Sequence, residues 1–221
     1  GTGAPDLMWS TPLMLGERAQ AYIKKVVTLA KEPSRLEFFQ EHLEDEDEML
    51  ARDAYDEFAK MPYAGVIALK EKMHHDRLVK WINDPDIPAS RRRLYLTMLG
   101  VCGVAEDTNM LADMMKSNDR KKKSGLDALI ACYLLLKGEP GVGLVEELFL
   151  KNKDAEYADT YAAIMAIRFH GTEVEVISKS RLLAALRFML DRPELADLVI
   201  PDLARWKDWS VISRLVQLFK E

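Results

Sequence analysis

Three glycines with nearly equal spacing constrain the fold of this chain more than any other sequence feature. Gly103, Gly138 and Gly171 lie 35 and then 33 residues apart, and each follows an apolar run with helical periodicity. Glycine is common immediately after a helix because it readily adopts the left-handed conformation that ends many helices. A self-similar period of roughly 20 to 50 residues is typical of repeat proteins. The spacing therefore predicts an array of helix pairs, in which each glycine ends the first helix of a pair.

Apolar periodicity predicts further helices along the chain and no convincing pair of strands. Apolar residues recur every three or four positions, which indicates amphipathic helices. Before the first glycine-marked unit, the predicted helices span 17–32, 35–42, 45–60, 64–73 and 75–83. The second helices of the three units are predicted at 108–117, 142–151 and 177–190, followed by a last pair at 195–207 and 210–220. The pattern favours an all-α chain.

The segment MLGVCG at 98–103 resembles the repeat consensus of the HEAT and armadillo-like α-solenoid superfamily, and the resemblance extends over 48–221. It implies a right-handed α-α superhelix, a HEAT-like solenoid of about five to six helix pairs. An extended lead-in at 1–16 would precede a single α-helical repeat domain at 17–221, with the clearest repeats at 88–221. The family's usual valine-arginine pair in the second helix is not cleanly repeated here. An irregular helical bundle with the same helices is the alternative.

The chain is also similar to the C-terminal region of uncharacterised exported bacterial proteins. That resemblance implies an exported protein if this sequence is the C-terminal part of a longer precursor, and a cytoplasmic protein otherwise. Cys102 and Cys132 both lie in apolar helical runs. We expect buried free thiols there, with a disulfide between neighbouring helices as the alternative. The compartment is left open by the sequence.

Composition predicts a folded protein with an acidic balance. Hydrophobic residues make up 48% of the chain and charged residues 30%, which is too apolar for a disordered protein. A formal net charge of −5 argues against a general affinity for nucleic acid or anionic membranes. No apolar stretch approaches the ~20 residues that a membrane-spanning helix needs.

The sequence predicts no enzyme, no cofactor and no metal site. It lacks a GxSxG elbow, a phosphate-binding Walker loop, a GxGxxG fingerprint, a CxxC pair and an HExxH motif. The acidic run at 44–48 lacks the glycine and spacing of a calcium loop, and it is better explained as the favourable acidic N-terminus of a helix. An enzyme whose site includes an upstream segment is a separate hypothesis.

The most favoured function is protein–protein interaction or scaffolding by the concave surface that second helices form in a solenoid. The expected partner is another protein or a peptide. Candidate contact residues are polar positions of the second helices, namely Asn109, Asp113, Glu146, Lys179 and Arg187.

The alternative function is nucleic-acid binding by two basic clusters that lie one unit apart. Cations at a helix N-terminus oppose the helix dipole, so a phosphate ligand could explain their presence. Some HEAT-like DNA-repair enzymes hold duplex DNA in this way, and acidic neighbours are the simpler explanation. The phosphate-binding candidates are Arg91, Arg92, Arg93, Arg120, Lys121, Lys122 and Lys123.

Two apolar groups are predicted to be core with a binding role as the alternative. The segment NMLADMM at 109–115 places Met110, Met114 and Met115 on one helix, where methionines could form an adaptable peptide-binding surface. Near the C-terminus, Trp206 and Trp209 are expected to seal the last unit, or else to anchor a partner.

Overall fold

The computed structural model describes residues 14–220, so most of the expected lead-in at 1–16 lies outside the described residues. The described residues are all-helical and contain no strand. The fold class predicted from the sequence is confirmed at that level. No helix among these residues has the length and apolarity needed to cross a bilayer.

The chain falls into two compact units, one ending at Lys60 and the other beginning at Met61. The first unit contains α1 (Glu17–Val26), α2 (Leu36–Phe39) and α3 (Glu48–Lys60), with 3-10 turns at Pro33–Arg35 and Gln40–His42. Within it, the Tyr22 hydroxyl donates a hydrogen bond of 2.8 Å to Asp53. Its ring also contacts the aromatic cluster around Phe38 and Phe39.

The second unit contains ten α-helical segments among the described residues. They are α4 (Tyr63–Ala68), α5 (His75–Asn83), α6 (Ala89–Cys102), α7 (Asp107–Lys116), α8 (Leu126–Lys137), α9 (Val142–Val145), α10 (Tyr157–Thr172), α11 (Lys179–Arg187), α12 (Ile200–Arg205) and α13 (Ile212–Lys220). A π-helical stretch, Glu146–Leu150, continues α9. Short 3-10 turns occur at Lys70–Lys72, Glu139–Gly141, Phe188–Asp191, Pro193–Leu198 and Trp209–Val211.

Three long helices, α6, α8 and α10, form the centre of the second unit. α8 packs between α6 and α10, and α5 packs against α6. Each central helix buries side chains on more than one face, as expected for helices with neighbours on both sides. In α8, for example, Leu129, Ile130 and Leu134 are fully buried.

Two of the three glycines follow helices as predicted, and the prediction for the third is wrong. Gly138 follows α8 with a φ of 69° and a ψ of −158°, a positive-φ conformation that is almost restricted to glycine. Gly103 follows α6, and its amide donates to the Leu99 carbonyl. Gly171, however, lies inside α10 rather than after it. A Cβ at Gly171 would stand 2.1 Å from Cζ2 of Trp206, so this glycine permits close approach of an indole ring.

Arg92 and Arg192 are buried and join loops to the helices. Arg92 on α6 donates to the backbone carbonyls of Asp84 and Lys121, which lie in the loops before α6 and before α8. Arg192 donates to the Asn152 carbonyl at 3.2 Å and to the Thr160 hydroxyl at 3.3 Å. A buried guanidinium that satisfies carbonyls in this way fixes loops that have no regular backbone partners.

At the C-terminal end, Pro201 lies in the first turn of α12, where its missing amide proton costs no helical hydrogen bond. Pro201 therefore starts this helix and does not interrupt it. Trp206 packs against Gly171, whereas Trp209 is 62% exposed. The two tryptophans, expected to act alike, therefore have different environments.

Candidate functional site

A cleft of about 490 Å³ opens where α5, α6 and α7 meet the loop at 117–125. We refer to it as the α7 cleft. It contains residues from both groups of sequence candidates: Asp113 from the expected contact surface, and Arg92, Lys121 and Lys122 from the basic clusters. The full set of lining residues is Ile82, Asn83, Pro85, Arg92, Met110, Asp113, Met114, Asp119, Lys121 and Lys122.

The floor of the α7 cleft is apolar and adaptable. Ile82 and Met114 are buried, and Met110 is half-buried beside them. The Asn83 amide donates to the Met110 sulfur at 3.0 Å, which connects the end of α5 to α7. Unbranched methionines adjust to ligands of different shape because their three side-chain torsions rotate easily.

Arg92 holds the two loops that form the walls of the cleft. One guanidinium group bonds the Asp84 carbonyl in one wall and the Lys121 carbonyl in the other. Burial lowers the pKa of Arg92 from its ordinary value, while the nearby Asp84 and Asp119 carboxylates oppose that change. Side-chain oxygens support the second wall, since Ser117 accepts from the Asp119 amide and Asp119 accepts from the Lys121 amide. Hydrogen bonds therefore hold both walls of the cleft in place.

Charges of both signs surround the floor. Asp113 and Asp119 are exposed carboxylates, and Lys121 and Lys122 are exposed ammonium groups. Lys121 lies 3.7 Å from Asp86, a weak surface pair. An apolar floor between opposite charges fits an extended peptide, which presents apolar side chains together with polar backbone and charged groups.

The other expected contact residues are dispersed. Asn109 is exposed on α7 outside the lining of the cleft, and Lys179 lies over the ring of Trp206. Arg187 forms a two-bond ion pair with Asp208 at 2.8 and 2.9 Å. Glu146 was expected at a partner surface but is buried, where Arg181 and Lys151 bind its carboxylate and hold its pKa below the ordinary value against the opposing effect of burial.

The two basic clusters are extensively paired with carboxylates. Arg93 contacts Asp127 at 2.8 Å. Arg120 and Lys123 both bind Asp159, at 3.0 and 2.8 Å, and Arg120 also pairs with Glu156. Arg91 is half-buried, and Arg92 is 1% exposed. Acidic neighbours thus reduce the positive potential that a phosphate backbone would meet.

A histidine between two carboxylates is the polar contact that the sequence did not predict. His75 Nε2 lies 2.9 Å from Asp107 and Nδ1 lies 3.1 Å from Asp76, and these hydrogen bonds raise its pKa. Cys102 carries a thiol whose pKa burial raises to about 11. No group of metal-ligating side chains is found among residues 14–220. His75 and Asp107 are 32 residues apart, and no local spacing rule joins them.

Comparison with known proteins gives no further assignment. No protein-family model, no curated protein and no solved structure matched this chain.

Proposed function

We propose that this protein is a non-catalytic binding module that takes a peptide segment of a partner protein in the α7 cleft. The observation that carries the proposal is the methionine-lined floor held between side chains of opposite charge. Concave sites with an apolar lining and a few placed polar groups are the usual form of binding sites. Asp113 and Lys122 would orient the peptide, and Met110 would contact its apolar side chains.

The proposed architecture is a HEAT-like, right-handed solenoid of about five to six helix pairs. It is supported by polar contacts that recur about one repeat apart in the second unit. Arg93 pairs with Asp127, 34 residues later, and Arg168 pairs with Asp202, again 34 residues later. The central helices also pack in the order in which they occur along the chain, α6 on α8 and α8 on α10. One contact departs from strict neighbour packing, since Tyr63 of α4 meets Phe169 of α10 at a ring-centroid distance of 5.2 Å.

The test is selection of binders from a random peptide display library with the parent protein, followed by affinity measurement on two cleft variants. Met110→Glu places a charge on the floor, and Asp113→Lys reverses a charge at the rim. We expect each variant to weaken selected peptides at least about tenfold, since each removes a complementary contact.

Asn109→Lys on the same helix is the matched control, because Asn109 is exposed but does not line the cleft. It should leave the affinity unchanged. Peptides that bind the parent and both cleft variants equally would place recognition elsewhere and refute the proposal.

A further inference from the structure

The C-terminal helix α13 presents an apolar face that the second unit does not cover. None of its nine residues, all of which the structure describes, is buried. Ile212 and Val216 are 50% and 49% exposed, and Phe219 is 93% exposed. With the half-buried Leu215, these residues occupy positions i, i+3, i+4 and i+7 and form one stripe. Trp209 lies one turn earlier and is 62% exposed.

A helix of this length needs a partner for its apolar face. Isolated helices shorter than about 12 to 15 residues have marginal stability in water, because the first turn is unfavourable to form and each further residue stabilises the helix only slightly. The described contacts of α13 include one hydrogen bond of 3.0 Å from Arg214 to the Leu190 carbonyl. That bond positions one side of the helix and leaves the apolar stripe open.

The exposed charged side chains of the C-terminal segment 199–220 have one sign, although Asp191, Glu194 and Asp197 just before it are exposed carboxylates. Within 199–220, both aspartates are buried and neutralised, Asp202 by Arg168 at 2.7 Å and Asp208 by Arg187 at 2.8 Å. The exposed charged residues of that range are Arg205, Lys207 and Lys220. Glu221 lies outside the described residues. This segment therefore combines exposed cations with an exposed apolar stripe, on a chain whose formal net charge is −5.

We propose that α13 and Trp209 bind the surface of an anionic lipid bilayer, with the helix lying in the plane of the interface. Amphipathic helices with cations on the polar face and Trp, Phe or Leu on the apolar face adopt this position. A uniformly negative surface complements cations spread over the whole segment. A second copy of α13 would bring further cations beside the first set, and their repulsion disfavours self-association relative to an anionic surface. The α7 cleft takes no part in this proposal.

The first experiment measures cosedimentation with vesicles of phosphatidylcholine alone and of phosphatidylcholine mixed with phosphatidylglycerol. The parent should bind the mixed vesicles and bind the neutral ones much more weakly. Phe219→Glu and Ile212→Glu should each lower partition at least about tenfold, because a charge replaces apolar surface at the interface. Val104→Glu is the matched control, since Val104 is 48% exposed but lies before α7, and it should bind like the parent.

The second experiment separates the charge contribution from the apolar one. Lys207→Gln and Lys220→Gln should each lower binding to the mixed vesicles by roughly fivefold and leave binding to neutral vesicles unchanged. Circular dichroism should show parental helicity for every variant, because the substituted side chains are exposed.

Three results would overturn the proposal. One is failure of the parent to bind mixed vesicles. Another is equal binding by the parent and Phe219→Glu. The third is a concentration-dependent dimer that Phe219→Glu abolishes, since a second copy would then cover the stripe. Peptide binding in the α7 cleft can succeed or fail independently of all three.

Discussion

The central helices and the C-terminal helix of the second unit all carry apolar side chains but bury them differently. α8 has α6 on one side and α10 on the other, and Leu129, Ile130 and Leu134 have no exposed surface. α13 has the stronger amphipathic pattern, yet its Phe219 is 93% exposed. Burial in this unit therefore depends on having neighbours on both sides of a helix. An uncovered stripe at the end is available for binding, whereas the same residues in the centre stabilise the fold.

The largest expected effect comes from truncating matched apolar residues in the two regions. Leu129→Ala should lower the free energy of unfolding by about 2 to 5 kcal/mol, because it removes a buried side chain and leaves a cavity. Phe219→Ala should change it by less than about 0.5 kcal/mol. Urea unfolding followed by circular dichroism measures both. Equal losses would mean that α13 is covered in solution and would remove the contrast between the regions.

A smaller loss of stability should follow from replacing each of two adjacent arginines of α6 in turn. Arg92→Ala leaves the carbonyls of Asp84 and Lys121 without their charged donor and should cost about 2 to 4 kcal/mol. Arg93→Ala removes an exposed ion pair with Asp127 and should cost less than about 1 kcal/mol. The same unfolding measurement compares them. A loss of similar size in both variants would show that Arg92 does not hold the walls of the α7 cleft.

Two histidines should give opposite dependences of stability on pH. His170 is buried with its Nε2 bonded to the Ala131 carbonyl, and burial lowers its pKa below 6.5. The unfolded chain then binds a proton more readily than the folded one, so this contribution is lost as pH falls below 6.5. The pKa of His75 is raised, so its contribution is complete below 6.5 and is lost as pH rises through the folded value.

The measurement is the pH profile of unfolding for the parent, His170→Asn and His75→Asn. The parent should lose stability toward acid more steeply than His170→Asn, and toward alkali more steeply than His75→Asn. Profiles that remain parallel in all three proteins would contradict both assignments.

The sequence was sufficient where local chemistry decides the structure. The predicted helix 75–83 has the observed bounds of α5, and Gly138 follows α8 with a positive φ that favours glycine. The sequence was insufficient where a side chain distant along the chain determines the role of a residue. Gly171 looked like a third helix end, but Trp206, 35 residues later, gives it a different role inside α10.

The candidate site was predicted only in part, for the same reason. Asp113 was predicted as a partner contact and Lys121 and Lys122 as phosphate-binding residues, and all three line the α7 cleft. Their juxtaposition with Ile82 depends on the packing of three helices, which no spacing in the sequence encodes. Glu146 had the same polar character as Asp113, but Arg181, 35 residues later, binds it in the interior.

The smallest expected effect concerns nucleic acid and tests whether the basic clusters act like the cationic C-terminal surface. Replacing Arg120, Lys121, Lys122 and Lys123 together with alanine should change retention of duplex DNA at low salt by less than about twofold, because Arg120 and Lys123 already bind Asp159. Electrophoretic mobility shift at several salt concentrations measures it, with helicity checked in parallel.

Lys207→Gln combined with Lys220→Gln is the matched comparison, because its cations have no ion pair among the described contacts of residues 14–220. Any weak, salt-sensitive retention by the parent should fall more in this variant than in the quadruple alanine variant. Strong retention that only the quadruple substitution abolishes would mean that the basic clusters contribute more to DNA binding than the C-terminal surface does. It would then assign phosphate binding to the loop before α8, despite the carboxylates that surround it.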